Sequence, residues 1–265
     1  MLSREFTYHG SDGWPLRANV LGSGPTLILL HGGGPDHHSL MPLAYRLASQ
    51  YTVVVPDIRG YGRSVCPDPA RHTWAQYADD VHSLIETVGA PDEVGLIGTG
   101  MGATISLRAG LAYPDRIRRA VLISIEDIED DKGKAAETEL MERFAEKVRT
   151  EGIEAGWQLF LPALQPLIAN LVSDAIPRSD PASVAAAAAI GRDRAFRTPA
   201  ELTGFTAQTL IIAGDDKRHP AALAQRVTEV LPDARLAPVT MAPHLRTAQD
   251  MAEYFAPAIK EFLAE

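Results

Sequence analysis

The stretch that most constrains this chain is Val94-Gly95-Leu96-Ile97-Gly98-Thr99-Gly100-Met101-Gly102-Ala103. An apolar, partly β-branched run ends in glycines at every second position and then enters a helix-compatible run from Ala103 to Tyr113. The pattern predicts a strand, a very tight turn and a helix. Two chemistries fit it. As Gly-x-Gly-x-x-Ala it matches a dinucleotide fingerprint, in which glycines let the backbone approach a pyrophosphate lying on a helix N-terminus. As Gly-x-X-x-Gly it matches a strained turn that lifts one side chain above the edge of a sheet. The lifted position is Gly100, which has no side chain to lift.

With 265 residues, the chain is long enough for one α/β domain carrying an insertion. Its formal net charge of -9 argues against a nucleic-acid partner, because such binding needs positive charge to displace counterions. The single cysteine, Cys66, excludes an intrachain disulfide, and Met1 to Arg4 leads into polar sequence rather than an apolar signal core. A cytoplasmic location is expected. Nor does any apolar run approach the roughly 18 residues that span a bilayer, so no membrane partner is expected.

Residues 4–9 and 16–21 alternate like two strands around a Gly10-Ser11-Asp12-Gly13 turn. Thr26 to Leu30 is a continuous apolar run of the kind buried on both faces of a parallel sheet. It ends in His31-Gly32-Gly33-Gly34-Pro35, whose glycines can turn sharply and expose amides, as an oxyanion hole requires; a plain glycine turn is the alternative. His31 reads as a brace for that loop. His37 and His38 lack a carboxylate or cysteine at a recognisable ligand spacing, so they read as rim or surface residues and no metal site is expected. A helix over roughly Leu40 to Ser49 and a strand over Tyr51 to Pro56 follow, then Asp57-Ile58-Arg59-Gly60-Tyr61-Gly62-Arg63-Ser64.

His-Gly-Gly-Gly-Pro followed about 20 residues later by Asp-x-Arg-Gly-x-Gly-x-Ser resembles the α/β-hydrolase superfamily. The triple glycine is most similar to its carbon–carbon bond hydrolases and esterases. The resemblance implies an α/β-hydrolase fold, a mostly parallel sheet flanked by helices, and it favours a nucleophile elbow over the dinucleotide reading of Gly98 to Ala103. The rival keeps a foothold in Glu126, placed roughly where a ribose-binding acid would fall. The resemblance further implies a helical cap over 127–200, inserted after the sixth strand, with the core formed by 1–126 and 201–265.

In the family the triad runs nucleophile, acid, histidine. By resemblance the nucleophile position is Gly100, the acid Asp216 and the base His244, with the amides of Gly33 and Met101 as oxyanion donors. Gly34 and Thr99 would contact substrate. The acid is uncertain in register, because one residue is missing between Gly214 and Asp216 relative to the family pattern; Asp215 and Glu126 are the alternatives. A last strand over Arg235 to Thr240 would deliver His244. No organic cofactor is implied, and the partner is a small-molecule substrate. Three accounts of Gly100 stay open: a replaced serine in a hydrolase of an ester, lactone or carbon–carbon bond; a natural general-base enzyme, including a lyase or cyclase; or a member that only binds a small ligand. Substrate identity and oligomeric state are not specified by the sequence.

Overall fold

The apolar runs become the central strands of one sheet, in a computed structural model that describes residues 2–90 and 92–265. Met1, the first residue of the expected core, lies outside the described residues, as does Pro91. The strands are β1 (Arg4–His9), β2 (Pro15–Gly22), β3 (Thr26–Leu30), β4 (Thr52–Pro56), β5 (Val94–Thr99), β6 (Ile117–Ile123), β7 (Gln208–Ile212) and β8 (Ala234–Leu236). Their spatial order is β1-β2-β4-β3-β5-β6-β7-β8. Only the β1–β2 and β2–β4 pairings are antiparallel. The other five are parallel, which gives the α/β-hydrolase fold.

The two faces of the sheet follow from the period of two along each strand. Ile28 and Leu30 of β3 join the core beneath α2 (Trp74–Val88) and α3 (Met101–Ala112). Leu27 and Leu29 join the opposite core, against α1 (Met41–Leu47) and α9 (Ala248–Ala264). A strand covered on both faces needs apolar residues on both, and β3 is apolar and buried from Leu27 to Leu30.

Between β6 and β7 the described chain forms helices only: α4 (Asp131–Glu151), α5 (Ile153–Trp157), α6 (Pro166–Ala175) and α7 (Pro181–Ala187). The ends of this segment are tied together by an isolated bridge between Ile128 and Phe196, and the Glu129 N–H donates to the Phe196 carbonyl at 3.1 Å. The chain passes from α5 through a short turn at Leu161–Ala163 into α6, because Pro162 and Pro166 cannot continue a helix. The α8 helix (Ala221–Val230) connects β7 to β8. The last strand is also shorter than the sequence pattern predicts. It stops at Leu236, two residues before Pro238, which has no N–H to give the ladder.

Candidate active site

The parallel strands β3, β5, β6 and β7 end at one edge of the sheet, and their following loops meet around Gly100. The three glycines there have different physical causes. A Cβ on Gly98 would lie 2.2 Å from the Gly102 carbonyl oxygen, and one on Gly102 would lie 2.2 Å from that of Leu30. Close backbone packing between α3 and strands β3 and β5 excludes side chains at both positions. These contacts explain the glycine pattern without a pyrophosphate. Gly100 is not crowded by backbone in this way. Its φ of 52° and ψ of -121° place it in a region unfavourable to other residues, where it forms the turn from β5 into α3.

Gly100 is held by an N–H bond to the Ile123 carbonyl at 2.9 Å. A Cβ on it would lie 3.0 Å from Glu126 Oε1 and 3.6 Å from His219 Nε2. A carboxylate and an imidazole therefore converge on the place where a side chain at position 100 would begin. Behind the imidazole, His219 Nδ1 and Asp216 Oδ1 are 2.9 Å apart. Asp216 Oδ1 also accepts the N–H groups of Arg218 and His219, at 2.9 and 2.8 Å. That tight turn folds His219 back onto the acid three residues before it. The loop is compact enough that a Cβ on Gly214 would meet the His219 carbonyl oxygen at 2.4 Å.

His244 is not at this site. Met241 and Leu245 are buried, and the Leu245 N–H bonds to the Ala242 carbonyl at 3.1 Å, so Pro243 and His244 are turned outward between two anchors. The ring of His244 is exposed and meets Tyr254 edge-on at 5.3 Å. Among the described residues no hydrogen bond joins it to Asp216, Asp215 or Glu126, so the expected pairing is corrected to His219 with Asp216. Asp215 is exposed. Gly33, Thr99 and Met101 line the cavity beside Gly100. Gly34 does not; it is buried at φ 99°, and a Cβ there would meet Trp157 at 2.7 Å, so its role is to admit that indole.

Sequence reading missed His219, Arg218, Glu137 and Tyr61. The signal for the first was present in Asp216-x-x-His219-Pro220, a turn-forming acid followed by a histidine at its closing position. Arg218 donates to Glu126 Oε2 through Nε and grips Glu137 of α4 with both terminal nitrogens, at 2.9 and 3.1 Å. Tyr61 brings its hydroxyl to 3.7 Å from a Cβ position on Gly33.

The charges at the site are set by these neighbours. Burial disfavours the Glu126 carboxylate, but Arg218 and His219 outweigh it and hold its pKa down to about 2. Burial likewise opposes ionisation of Asp216, yet the hydrogen bond from His219 helps bring it to about 2. Burial disfavours the imidazolium, while Glu126 and Asp216 more than offset that and push His219 up to about 9 from an ordinary 6.5. Asp127, buried beside Glu126, is raised well above the usual carboxylate range. The site therefore holds an imidazolium against a carboxylate at neutral pH.

Because the His219 pKa is raised in the folded state, the stabilisation it gives is complete below about pH 6.5 and is lost as pH rises through about 9. An NMR titration of the His219 ring is expected to show a midpoint near 9, and Glu126→Gln should lower it. An unchanged midpoint in that variant would contradict the assigned ion pair.

Two other histidines are structural. His31 Nε2 accepts the Ile58 N–H at 2.9 Å, which leaves Nδ1 to donate to the Gly32 carbonyl at 2.8 Å, so the ring braces the glycine loop. His37 is buried against Asp57, with Nδ1 at 2.7 Å from its carboxylate, and His38 is exposed. Asp36, His37 and His38 bring potential ligand atoms within 4.8 Å of one another, supplying a carboxylate that the spacing did not reveal. Arg178 pairs with Asp36 at 2.8 Å, and Asp57 lies 2.7 Å from His37 Nδ1.

The sequence model of the alpha/beta hydrolase family matches residues 27–258. The chain belongs to the alpha/beta hydrolase family. The 2-(acetamidomethylene)succinate hydrolase of Mesorhizobium japonicum is 32% identical over 167 residues, 61% of this chain and 55% of its own length. This chain thus spans about half the length of that curated relative. Among solved structures, a thermophilic esterase from Thermogutta terrifontis is similar with a TM-score of 0.82 at 23% identity, over 98% of both chains. The bottromycin epimerase BotH, solved with bottromycin A2, is similar with a TM-score of 0.73 at 22% identity, again over 98% of both chains. No described helix in this family member is long and apolar enough to cross a membrane.

Proposed function

We propose that this alpha/beta hydrolase family member is an enzyme whose chemistry is carried by Glu126 and His219, in place of a nucleophile at Gly100. The observation that carries this reading is their convergence, with Oε1 3.0 Å and Nε2 3.6 Å from a Cβ position on Gly100. A substrate atom there lies between a proton donor and a proton acceptor. The elbow, the glycine loop and the acid–histidine pair of an acyl-transfer site remain, without the atom that would be acylated.

The reaction that suits this pair is proton transfer on an activated carbonyl compound, as in an isomerisation, elimination or ring closure, without organic cofactor or metal. His219 as imidazolium supplies the proton, and the amides of Gly33 and Met101 stabilise the developing enolate oxygen. Glu126, with its basicity suppressed by Arg218, takes only a proton that a carbonyl has already acidified. The helical segment 127–200 acts as a cap that shields the site from water, and the core is 1–126 with 201–265. Two facts support a cap: Trp157, Phe144 and Phe160 of this segment line the cavity, and its ends are tied by the Ile128–Phe196 bridge. That the fold hosts non-hydrolytic enzymes is illustrated by the epimerase above.

A second reading, hydrolysis by a water held between Glu126 and His219, is favoured by the hydrolase named as a relative. The two separate in one assay. Exchange of α-hydrogens of 1,3-diketones and β-keto esters in D₂O, followed by proton NMR, is expected above the buffer rate, and Glu126→Gln and His219→Asn should each lower it by roughly 10²–10⁴-fold. Ester cleavage without exchange would establish the hydrolytic reading, and the absence of both would leave a binding protein.

A further inference from the structure

Two residues that line this cavity each carry a buried polar atom with no hydrogen-bond partner among the described residues: Trp74 Nε1 and Ser124 Oγ. Both residues are only 2% exposed. A buried polar group without a partner costs free energy, so one retained inside a pocket has its partner elsewhere. Ser124 carries a second cost. Its φ is 56°, a left-handed conformation that disfavours non-glycine residues, and its N–H is fixed to the Ile212 carbonyl at 2.9 Å. Glycine would relieve that strain but would remove the hydroxyl.

We propose that Trp74 Nε1 and Ser124 Oγ are substrate contacts that select a neutral, ring-containing compound bearing carbonyl or ether oxygens. The acceptor follows from the indole, which can only donate. Neutrality follows from the ion pairs already formed. Arg218 is taken by Glu126 and Glu137, His219 by Asp216, and Lys134 lies 3.7 Å from Glu129, so a charged ligand would meet no unpaired counter-ion among these groups. A ring follows from the cluster of Phe144, Trp157 and Phe160, which lines the cavity with centroids 4.8–5.7 Å apart and offers aromatic faces for one. The proposal rests on the preceding reading only in taking this cavity as the substrate site.

The test uses two probes of one shape, acetophenone and α-methylstyrene, which differ by a carbonyl oxygen against a methylene. Ligand-observed NMR on the intact chain is expected to give acetophenone about tenfold tighter binding. Ser124→Ala and Trp74→Phe should each weaken acetophenone by about five- to tenfold and leave α-methylstyrene within about twofold. Unliganded Ser124→Ala should melt no lower than the parent, since it deletes a hydroxyl that bonds nothing; a lower melting point would reveal a structural partner and overturn the assignment. Glu126→Gln should keep the tenfold preference, so a loss of acid–base activity there is separate from a failure of recognition. Equal binding of the two probes by the parent, or binding of neither, overturns the proposal. If Trp74→Phe does not fold, the Ser124→Ala arm decides it.

Discussion

Gly100→Ser is expected to turn this protein into an esterase that depends on His219. A hydroxyl carried on a Cβ 3.6 Å from His219 Nε2 comes within hydrogen-bond reach of the imidazole, with the amides of Gly33 and Met101 beside it. Removing the nucleophile from a working triad costs on the order of 10⁶ in turnover, and restoring one here should recover about 10²–10⁴ of that on p-nitrophenyl acetate. Recovery is partial for two reasons. Glu126 Oε1, 3.0 Å from the new Cβ, must shift, and His219 is protonated at neutral pH and cannot yet accept the serine proton. The rate of the variant should therefore climb with pH through about 9, and adding Glu126→Gln should move that rise to lower pH.

Two double variants make the expectation sharp. Gly100→Ser with His219→Ala should return to background, whereas Gly100→Ser with His244→Ala should keep full activity, since His244 faces solvent beside Tyr254. The reverse pattern would restore His244 to the triad and sink the site described above. The serine is also expected to cost about 1–3 kcal/mol, because φ is 52° at that position.

The fold was legible because its signals are local. Continuous apolar strands, glycine-rich turns and an amphipathic helix from Trp74 to Val88 each follow from sequence within a few residues. The glycine loop and the Gly100 turn were legible for the same reason. His219 was not, because the resemblance placed the histidine in the loop after the last strand. Its position depends on how the loop after β7 closes on itself, with two backbone N–H groups captured by Asp216. Gly34 shows the same limit from the other side. Its neighbour in space is Trp157, more than 100 residues on in sequence, and no local pattern announces that contact. Glu126 was noticed as an acid at the end of the sixth strand, but its charge depends on Arg218, which arrives from the loop after β7.

Arg218→Met should be the most destabilising single change at the site. The guanidinium bonds Glu126 and Glu137 and lies 3.8 Å from Asp127, so its loss leaves Glu137 without its cation and Glu126 with His219 alone. Breaking a buried pair by removing one partner costs about 3–5 kcal/mol. With 27% of the Arg218 side chain exposed, solvent screens part of this, and about 3 kcal/mol is expected at pH 7, a fall in melting temperature on the order of 10 °C. The sign of the pH dependence follows from Glu126. Its pKa is held at about 2 chiefly by Arg218, so without that charge it rises, and the acid takes up a proton as pH falls. The gap between parent and variant should therefore narrow from pH 7 to pH 4. Adding Glu137→Gln should return part of the lost stability, because one of the stranded charges goes with it. Urea unfolding midpoints of the parent and both variants across that range make the measurement. A penalty below about 1 kcal/mol that does not change with pH would mean that solvent already neutralises the cluster. In that case Glu126 would owe its charge to His219 alone, and Arg218 would serve only to fasten α4 to the loop that carries the histidine.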